Sequence, residues 1–141
     1  MESAARERVY VALGSNLGDR SAHLHRARQA LAALPGTALV ATSSVEETEP
    51  LGGMDQPPYL NQMVLLETEL TPRALLEASQ AIEQRSGRVR TARWGPRTLD
   101  IDIVRFGERH LAEPDLIIPH PELPNRDFWL RGMAELQPYD R

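Results

Sequence analysis

Asp100 and Asp102 are separated by a single residue in the run Leu99-Asp100-Ile101-Asp102-Ile103-Val104. On an extended chain of period two, Leu99, Ile101 and Ile103 point one way and both acids the other. The pattern predicts a strand with a buried apolar face and two carboxylates on its open face. Same-face neighbours on a strand lie roughly 6.5–7 Å apart at Cα. Two carboxylates at that spacing can converge on a pair of hard cations about 3.5–4 Å apart. Just upstream, Arg93 and Arg97 lie around an aromatic, Trp94. A lone Asp-x-Asp is often no more than a solvated face, and nearby arginines can simply neutralise it. Here acids for metal, guanidiniums for phosphate and a ring for stacking occur together. Phosphoryl transfer needs that set, because its catalysis is mostly positioning and charge stabilisation.

The surrounding composition narrows the class. The chain has 141 residues, 41% hydrophobic and 26% charged, as expected of a single soluble globular domain spanning 1–141. Cysteine is absent, which excludes a disulfide scaffold and Cys-ligated zinc. The start, Met1 to Arg8, is too polar for a signal peptide, and no apolar run approaches the length that spans a bilayer. A cytoplasmic protein without membrane contact is expected. The net charge of −4 argues against general nucleic-acid binding. Against that acidic background, Arg85, Arg88, Arg90, Arg93 and Arg97 form a run that contains no acid. Such a local cationic cluster suits a small polyanion better than a duplex.

The elements that must position these groups follow from periodicity and caps. Arg8 to Leu13 predicts a first strand, with Val9, Val11 and Leu13 on one face. Gly14 to Asp19 reads as a tight connection; it lacks the Gly-Lys-Ser/Thr ending of a P-loop. A helix follows from Asp19 or Ser21 to Leu34, buried along Leu24, Ala27, Leu31 and Leu34 and ended by Pro35-Gly36. His23 and His25 face different ways on it, which argues against a metal pair. Thr37 to about Glu47 predicts a second strand. Thr48 to Pro58 is a long Gly/Pro-rich loop of the kind that often carries function. Tyr59 to Leu70 predicts a third strand, with Leu60, Val64, Leu66 and Leu70 on one face and Asn61 facing away. Thr71-Pro72 opens a second helix that Ser86-Gly87 stops. After the Asp-x-Asp strand come a turn at Gly107, a short strand near Arg109 to Leu111, an extended Ile117 to Pro121, and a last helix from about Asn125 to Glu135. Strand-helix-strand-strand-helix-strand predicts an α+β ferredoxin-like sandwich. Its mostly antiparallel sheet would carry helices on one face and the active site on the other.

The run Arg93 to Val104 resembles the signature of the 6-hydroxymethyl-7,8-dihydropterin pyrophosphokinases, and the resemblance extends from about Val9 to about Leu136. It implies transfer of the pyrophosphoryl group of ATP to the hydroxymethyl of a reduced pterin, giving the pterin diphosphate and AMP in folate biosynthesis. It implies two Mg²⁺ ions held by Asp100 and Asp102, with Arg88 and Arg97 on the phosphates during transfer. Gln80, His120 and Arg126 match further ATP contacts, and Ile103 matches main-chain contacts to adenine. For the pterin, Asn61 matches the amide that reads the ring edge; an amide supplies both the donor and the acceptor such an edge requires. Thr48 and Leu51 would add main-chain contacts, while Tyr59 and Trp94 line the ring and Phe128 stacks on it. The Leu13 to Asp19 run is a further family hallmark, expected to support the pterin pocket. Arg88 to Arg93 is expected to close over the phosphates, with Gly87 as hinge. A monomer is expected. Two rivals stay open on the residues themselves: another two-metal enzyme such as a phosphodiesterase, and a non-enzymatic nucleotide sensor of the same fold.

Overall fold

The computed structural model describes residues 5–49, 57–87 and 98–140. The first strand, β1 (Glu7–Ser15), is buried along most of its length. Its odd residues Val9, Val11 and Leu13 enter one core and its even residues Tyr10 and Ala12 enter another. A strand apolar on both faces belongs in the middle of a sheet that is covered on both sides. It is followed by α1 (Arg20–Ala32), where the Asp19 carboxylate accepts from Ala22 N at 3.1 Å as a cap. Leu24, Ala27 and Leu31 form its buried stripe. Gly36, at φ +58°, turns the chain into β2 (Thr37–Thr42).

The expected second strand, Thr37 to Glu47, is in fact two pieces, β2 and β3 (Glu46–Thr48). The break is at Ser43. Its N–H donates to Met63 O at 2.8 Å, but its hydroxyl rather than its carbonyl accepts from Met63 N, at 2.9 Å. The freed carbonyl turns to the Gln62 side-chain amide at 2.6 Å. A serine side chain can replace one rung of the ladder and so let the strand bend.

Next comes β4 (Tyr59–Thr68), then α2 (Pro72–Arg85), capped by the Thr71 hydroxyl with proline in its first turn. Gly87, at φ +84°, follows its end. The Asp-x-Asp strand is β5 (Asp100–Phe106). A hairpin of β6 (Leu111–Glu113) and β7 (Leu116–Ile118) follows, and the chain closes with α3 (Asp127–Leu136). The hairpin refines the expected short strand and extended stretch of this region. Arg73 at the start of α2 holds it through Asp115 and Glu113.

The open sheet has the order β2-β4-β1-β5, antiparallel throughout, with β3 prolonging the β2 side of β4. This is the expected α+β ferredoxin-like arrangement. Helices α1 and α2 cover one face, packed on Val11, Leu13, Val64, Leu66, Ile101 and Ile103. The expectation that the helices share one face holds for α1 and α2 but not for α3, which sits on the opposite face, the one that carries Asp100 and Asp102, because the even residues of β1 are apolar too. There Trp129, Met133 and Leu136 pack on Tyr10, Met63, Leu65 and Val104. Gly132 permits this approach, since a Cβ there would lie 2.7 Å from Met63 Cβ.

The end of the chain returns to β1. Tyr10, only 3% exposed, donates its phenol to Asp140 at 3.0 Å, and Arg8 donates to Tyr139 O at 2.9 Å. Burial, then the bond to Asp140 and its charge, push the Tyr10 phenol up to about 12, against the opposing pull of Arg105 and Arg8. The native pKa exceeds the ordinary one near 10. The stabilisation is therefore complete below pH 10 and is lost as pH rises through 12. Ultraviolet titration should show a tyrosine ionisation near pH 12, and Tyr10→Phe should abolish that step. At neutral pH the variant should lose about 1 kcal/mol of unfolding free energy.

Candidate active site

The site is laid out by the register of β1 with its two neighbours. Gly14 is paired with Asn61 of β4 on one side and with Asp100 of β5 on the other. Ala12 is paired with Met63 and Asp102 in the same way. Directly paired residues share a face, so Asn61, Gly14 and Asp100 form one row across three strands and Met63, Ala12 and Asp102 the next. The middle member of each row is small, which leaves a trough between the carboxylates and the β4 side chains. Two strand spacings put Asp100 and Asn61 roughly 10 Å apart at Cα.

At the β4 wall, Asn61 Nδ2 donates to the Thr48 hydroxyl at 2.6 Å, fixing which way the amide lies. Tyr59 begins β4 opposite Thr48. A Cβ added to Gly14 would sit 3.3 Å from Asn61 Oδ1 and 3.5 Å from Tyr59 Cδ1, so both side chains lean over the glycine. The Gly14 to Asp19 connection supports this wall. Gly14 and Ser15 belong to β1 itself, Asn16 Nδ2 donates to Pro57 O at 3.2 Å, and Arg20 donates to Pro58 O at 2.7 Å. Above Asn61, a cavity of about 170 Å³ is lined by Asn61, Met63, Glu46, Ser43, Phe128 and Trp129 among others. Thr48, Tyr59, Asn61 and Phe128 are thus gathered at one end of the trough.

At the other end stand the acids. Asp100 and Asp102 are half-buried on the open face of β5, while Leu99, Ile101 and Ile103 are buried beneath it, as the alternation predicts. His120 Nε2 lies 3.8 Å from Asp102 Oδ1. The segment carrying His120 is held by His120 N donating to Val104 O at 2.9 Å, and the ring packs edge-on against Trp129 at 4.9 Å. Burial, followed by the nearby Arg126 charge, lowers the His120 pKa, with Glu122 opposing. The ring is therefore neutral at pH 7. Its Nδ1 accepts from Glu122 N at 3.0 Å, which leaves the proton on Nε2, the nitrogen nearer Asp102. Arg126 stacks its guanidinium 4.5 Å above the same Trp129 ring, and its Nε has no hydrogen-bond partner among the described residues.

Trp129 thus packs against two of the expected ATP-side residues, His120 and Arg126, a role that the sequence does not disclose. Its position on an amphipathic helix signals only burial. Ile103 has its side chain in the α1/α2 core, leaving its main chain for contacts. Gln80 is exposed on α2, on the face away from the carboxylates. Leu51, Arg88, Trp94 and Arg97, with the expected loop closure, lie outside the described residues.

Fold and site together define a ferredoxin-like α+β protein whose open face pairs an acidic end with an amide-and-aromatic end. A family model described as 7,8-dihydro-6-hydroxymethylpterin-pyrophosphokinase matches residues 10–138, and the chain belongs to that family. Among curated relatives, the 2-amino-4-hydroxy-6-hydroxymethyldihydropteridine pyrophosphokinase of Pseudomonas aeruginosa is 49% identical over 132 residues, or 94% of this chain and 82% of the relative. The proteins of the same name from Haemophilus influenzae and Bacillus subtilis are 46% and 43% identical over 128 residues, 91% of this chain and 80% and 77% of theirs. Among the described residues no helix is long and apolar enough to cross a membrane.

The Gly14 row makes a direct prediction. In Gly14→Ala the new methyl would crowd the Asn61 amide, 3.3 Å away, and shift it slightly, while meeting the Tyr59 ring at ordinary contact distance. Pterin affinity measured by calorimetry should fall about five- to tenfold, the equivalent of roughly 1 kcal/mol for a misaligned hydrogen bond. Affinity for an ATP analogue should stay within twofold.

Proposed function

We propose that this chain transfers the pyrophosphoryl group of ATP to the hydroxymethyl oxygen of 6-hydroxymethyl-7,8-dihydropterin, releasing AMP, as the cytoplasmic step of folate biosynthesis its family performs. The observation that carries the reading is the row Asn61–Gly14–Asp100. It sets a heterocycle-reading amide and a metal-binding acid about two strand spacings apart, which suits a bicyclic pterin whose substituent must meet a phosphate chain.

The chemistry can be followed bond by bond. The pterin hydroxyl oxygen attacks the β-phosphorus, the bond from that phosphorus to the α–β bridging oxygen breaks, and AMP departs with the bridging oxygen. The hydroxyl proton is lost to solvent or to a phosphate oxygen. Asn61 would present its amide to the amino-oxo edge, with Thr48 holding the amide's orientation. Tyr59 and Trp94 would line the ring, Phe128 would stack on it, and Leu51 would add a main-chain contact. His120, with its proton on Nε2, would donate to a phosphate oxygen, and Arg126 would add charge beside it. Arg88 and Arg97 would grip the transferred group, Gln80 would extend the nucleotide site, and the main chain of Ile103 would meet adenine.

Asp100 and Asp102 would hold two Mg²⁺ ions. Two hard carboxylates on one half-buried face fit that cation, which fills the rest of its shell with phosphate oxygens and water. When bound, Mg²⁺ neutralises phosphate charge and makes a coordinated hydroxyl more acidic. The protein is read as one domain acting as a monomer.

Asp100→Asn and Asp102→Asn should each lower turnover by about 10²-fold or more, as loss of an electrostatic catalytic group does. Their melting temperatures should stay near that of the parent, because both side chains face the open side. AMP should form from ATP only when the hydroxymethyl pterin is present. Near-normal activity in either variant would overturn the two-metal reading, and pterin-independent AMP would favour the phosphodiesterase-like rival.

A further inference from the structure

The acid pair is carried by the outermost strand of the sheet, and no strand lies beyond β5 among the described residues. An edge strand leaves alternate backbone groups without a ladder partner and is free to shift. At this edge, Glu83 of α2 reaches in. It is 8% exposed, and its Oε2 accepts from Ile101 N at 2.8 Å. Ile101 is the residue between Asp100 and Asp102, and its N–H belongs to the peptide that joins it to Asp100.

A carboxylate in such a place is expensive unless it is well bonded, and a charge-assisted bond to a backbone N–H is a strong one. The bond fixes the plane of the Asp100–Ile101 peptide, and with it the directions in which both acidic side chains leave the strand. Its place on α2 is set by packing. Glu83 follows Ile82 on the buried stripe that also includes Leu75 and Ser79, so the helix delivers the carboxylate from below the sheet while the acids open above it.

We propose that Glu83 is a positioning residue for the acid pair: by accepting from the Ile101 N–H it holds Asp100 and Asp102 in the alignment that binds divalent cations. The proposal rests on the metal reading of those acids. It assigns Glu83 a role through its acceptor oxygen, not its charge, and the comparison of Glu83→Gln with Glu83→Ala separates the two.

Three readouts test it. Hydrogen exchange at the Ile101 amide reports the bond in the ligand-free protein. Calorimetry with Mg²⁺ and a non-hydrolysable ATP analogue reports cation affinity, and calorimetry with pterin alone reports the other end of the trough. In Glu83→Ala, Ile101 exchange should quicken at least tenfold and Mg²⁺ affinity should fall about tenfold, the usual scale for losing an outer-shell partner. Pterin affinity should stay within twofold. Glu83→Gln keeps an acceptor oxygen and should restore both altered quantities to within about threefold. If Glu83→Ala fails to fold, Glu83→Asp, whose carboxylate falls one methylene short, should show the same two losses. The proposal is overturned if Glu83→Gln is as defective as Glu83→Ala, if Ile101 exchange quickens with cation affinity unchanged, or if pterin affinity falls in step with cation affinity. The Asp100→Asn and Asp102→Asn variants serve as a separate control. If they keep Mg²⁺ affinity the metal reading fails, whereas if they lose it and Glu83→Ala does not, only the role of Glu83 fails.

Discussion

The register of β1 is the constraint on which the rest of this structure depends. Gly14 and Ala12 stand between β4 and β5, and each fixes what faces what across three strands. Side chains alternate with a strict period of two, so a one-residue slip of β5 would send Asp100 and Asp102 into the α1/α2 core and turn Ile101 and Ile103 outward. The cost of burying two carboxylates without partners makes that slip prohibitive. The hydrophobic pattern that stabilises the sheet therefore also aims the acids of β5, and β1 carries the small residues that floor the trough.

The second face shows a division of labour within one helix. Met133 and Leu136 anchor α3 on the sheet, and Gly132 lets it come close over Met63. Trp129, one turn earlier, is buried and braces two expected site residues: His120 meets its edge and Arg126 its face. Phe128, its neighbour, lines the cavity above Asn61. Two adjacent aromatics on α3 therefore both line the cavity above Asn61, and Trp129 also braces the His120 and Arg126 side chains. The helix is tied down independently on its far side, where Arg131 pairs with Glu46 and Glu135 accepts from Ser44 N and its hydroxyl at 3.0 and 2.9 Å.

Much of this was legible in the residues because the signals were local. The alternation at 99–103, the Asp19 and Thr71 caps and the outward Asn61 each depend on neighbours in sequence, and the fold follows from their order. What was not legible depends on partners far along the chain. The split at Ser43 requires knowing that its hydroxyl will meet Met63 N, and nothing in Thr37 to Glu47 announces it. The placement of α3 on the acidic face required the second core, whose β1 contributors, Tyr10 and Ala12, read locally as the outward side of a strand. Glu83 was concealed for the opposite reason: an acid beside a buried stripe reads as a helix surface until its distant partner, Ile101 N, is in view. The roles of Arg88, Arg97, Trp94 and Leu51 rest on the family resemblance.

Among the described residues, two positions on the outer margin of β5 are taken by groups that are not strands. Glu83 occupies Ile101 N, and His120 N occupies Val104 O. A bare margin there would be a template for another chain. Blocking two of its hydrogen-bonding positions with a side chain and a returning segment makes the margin a poor substrate for intermolecular strand addition. The Glu83 contact proposed to align the acids thus also takes up an edge position that an added strand would use.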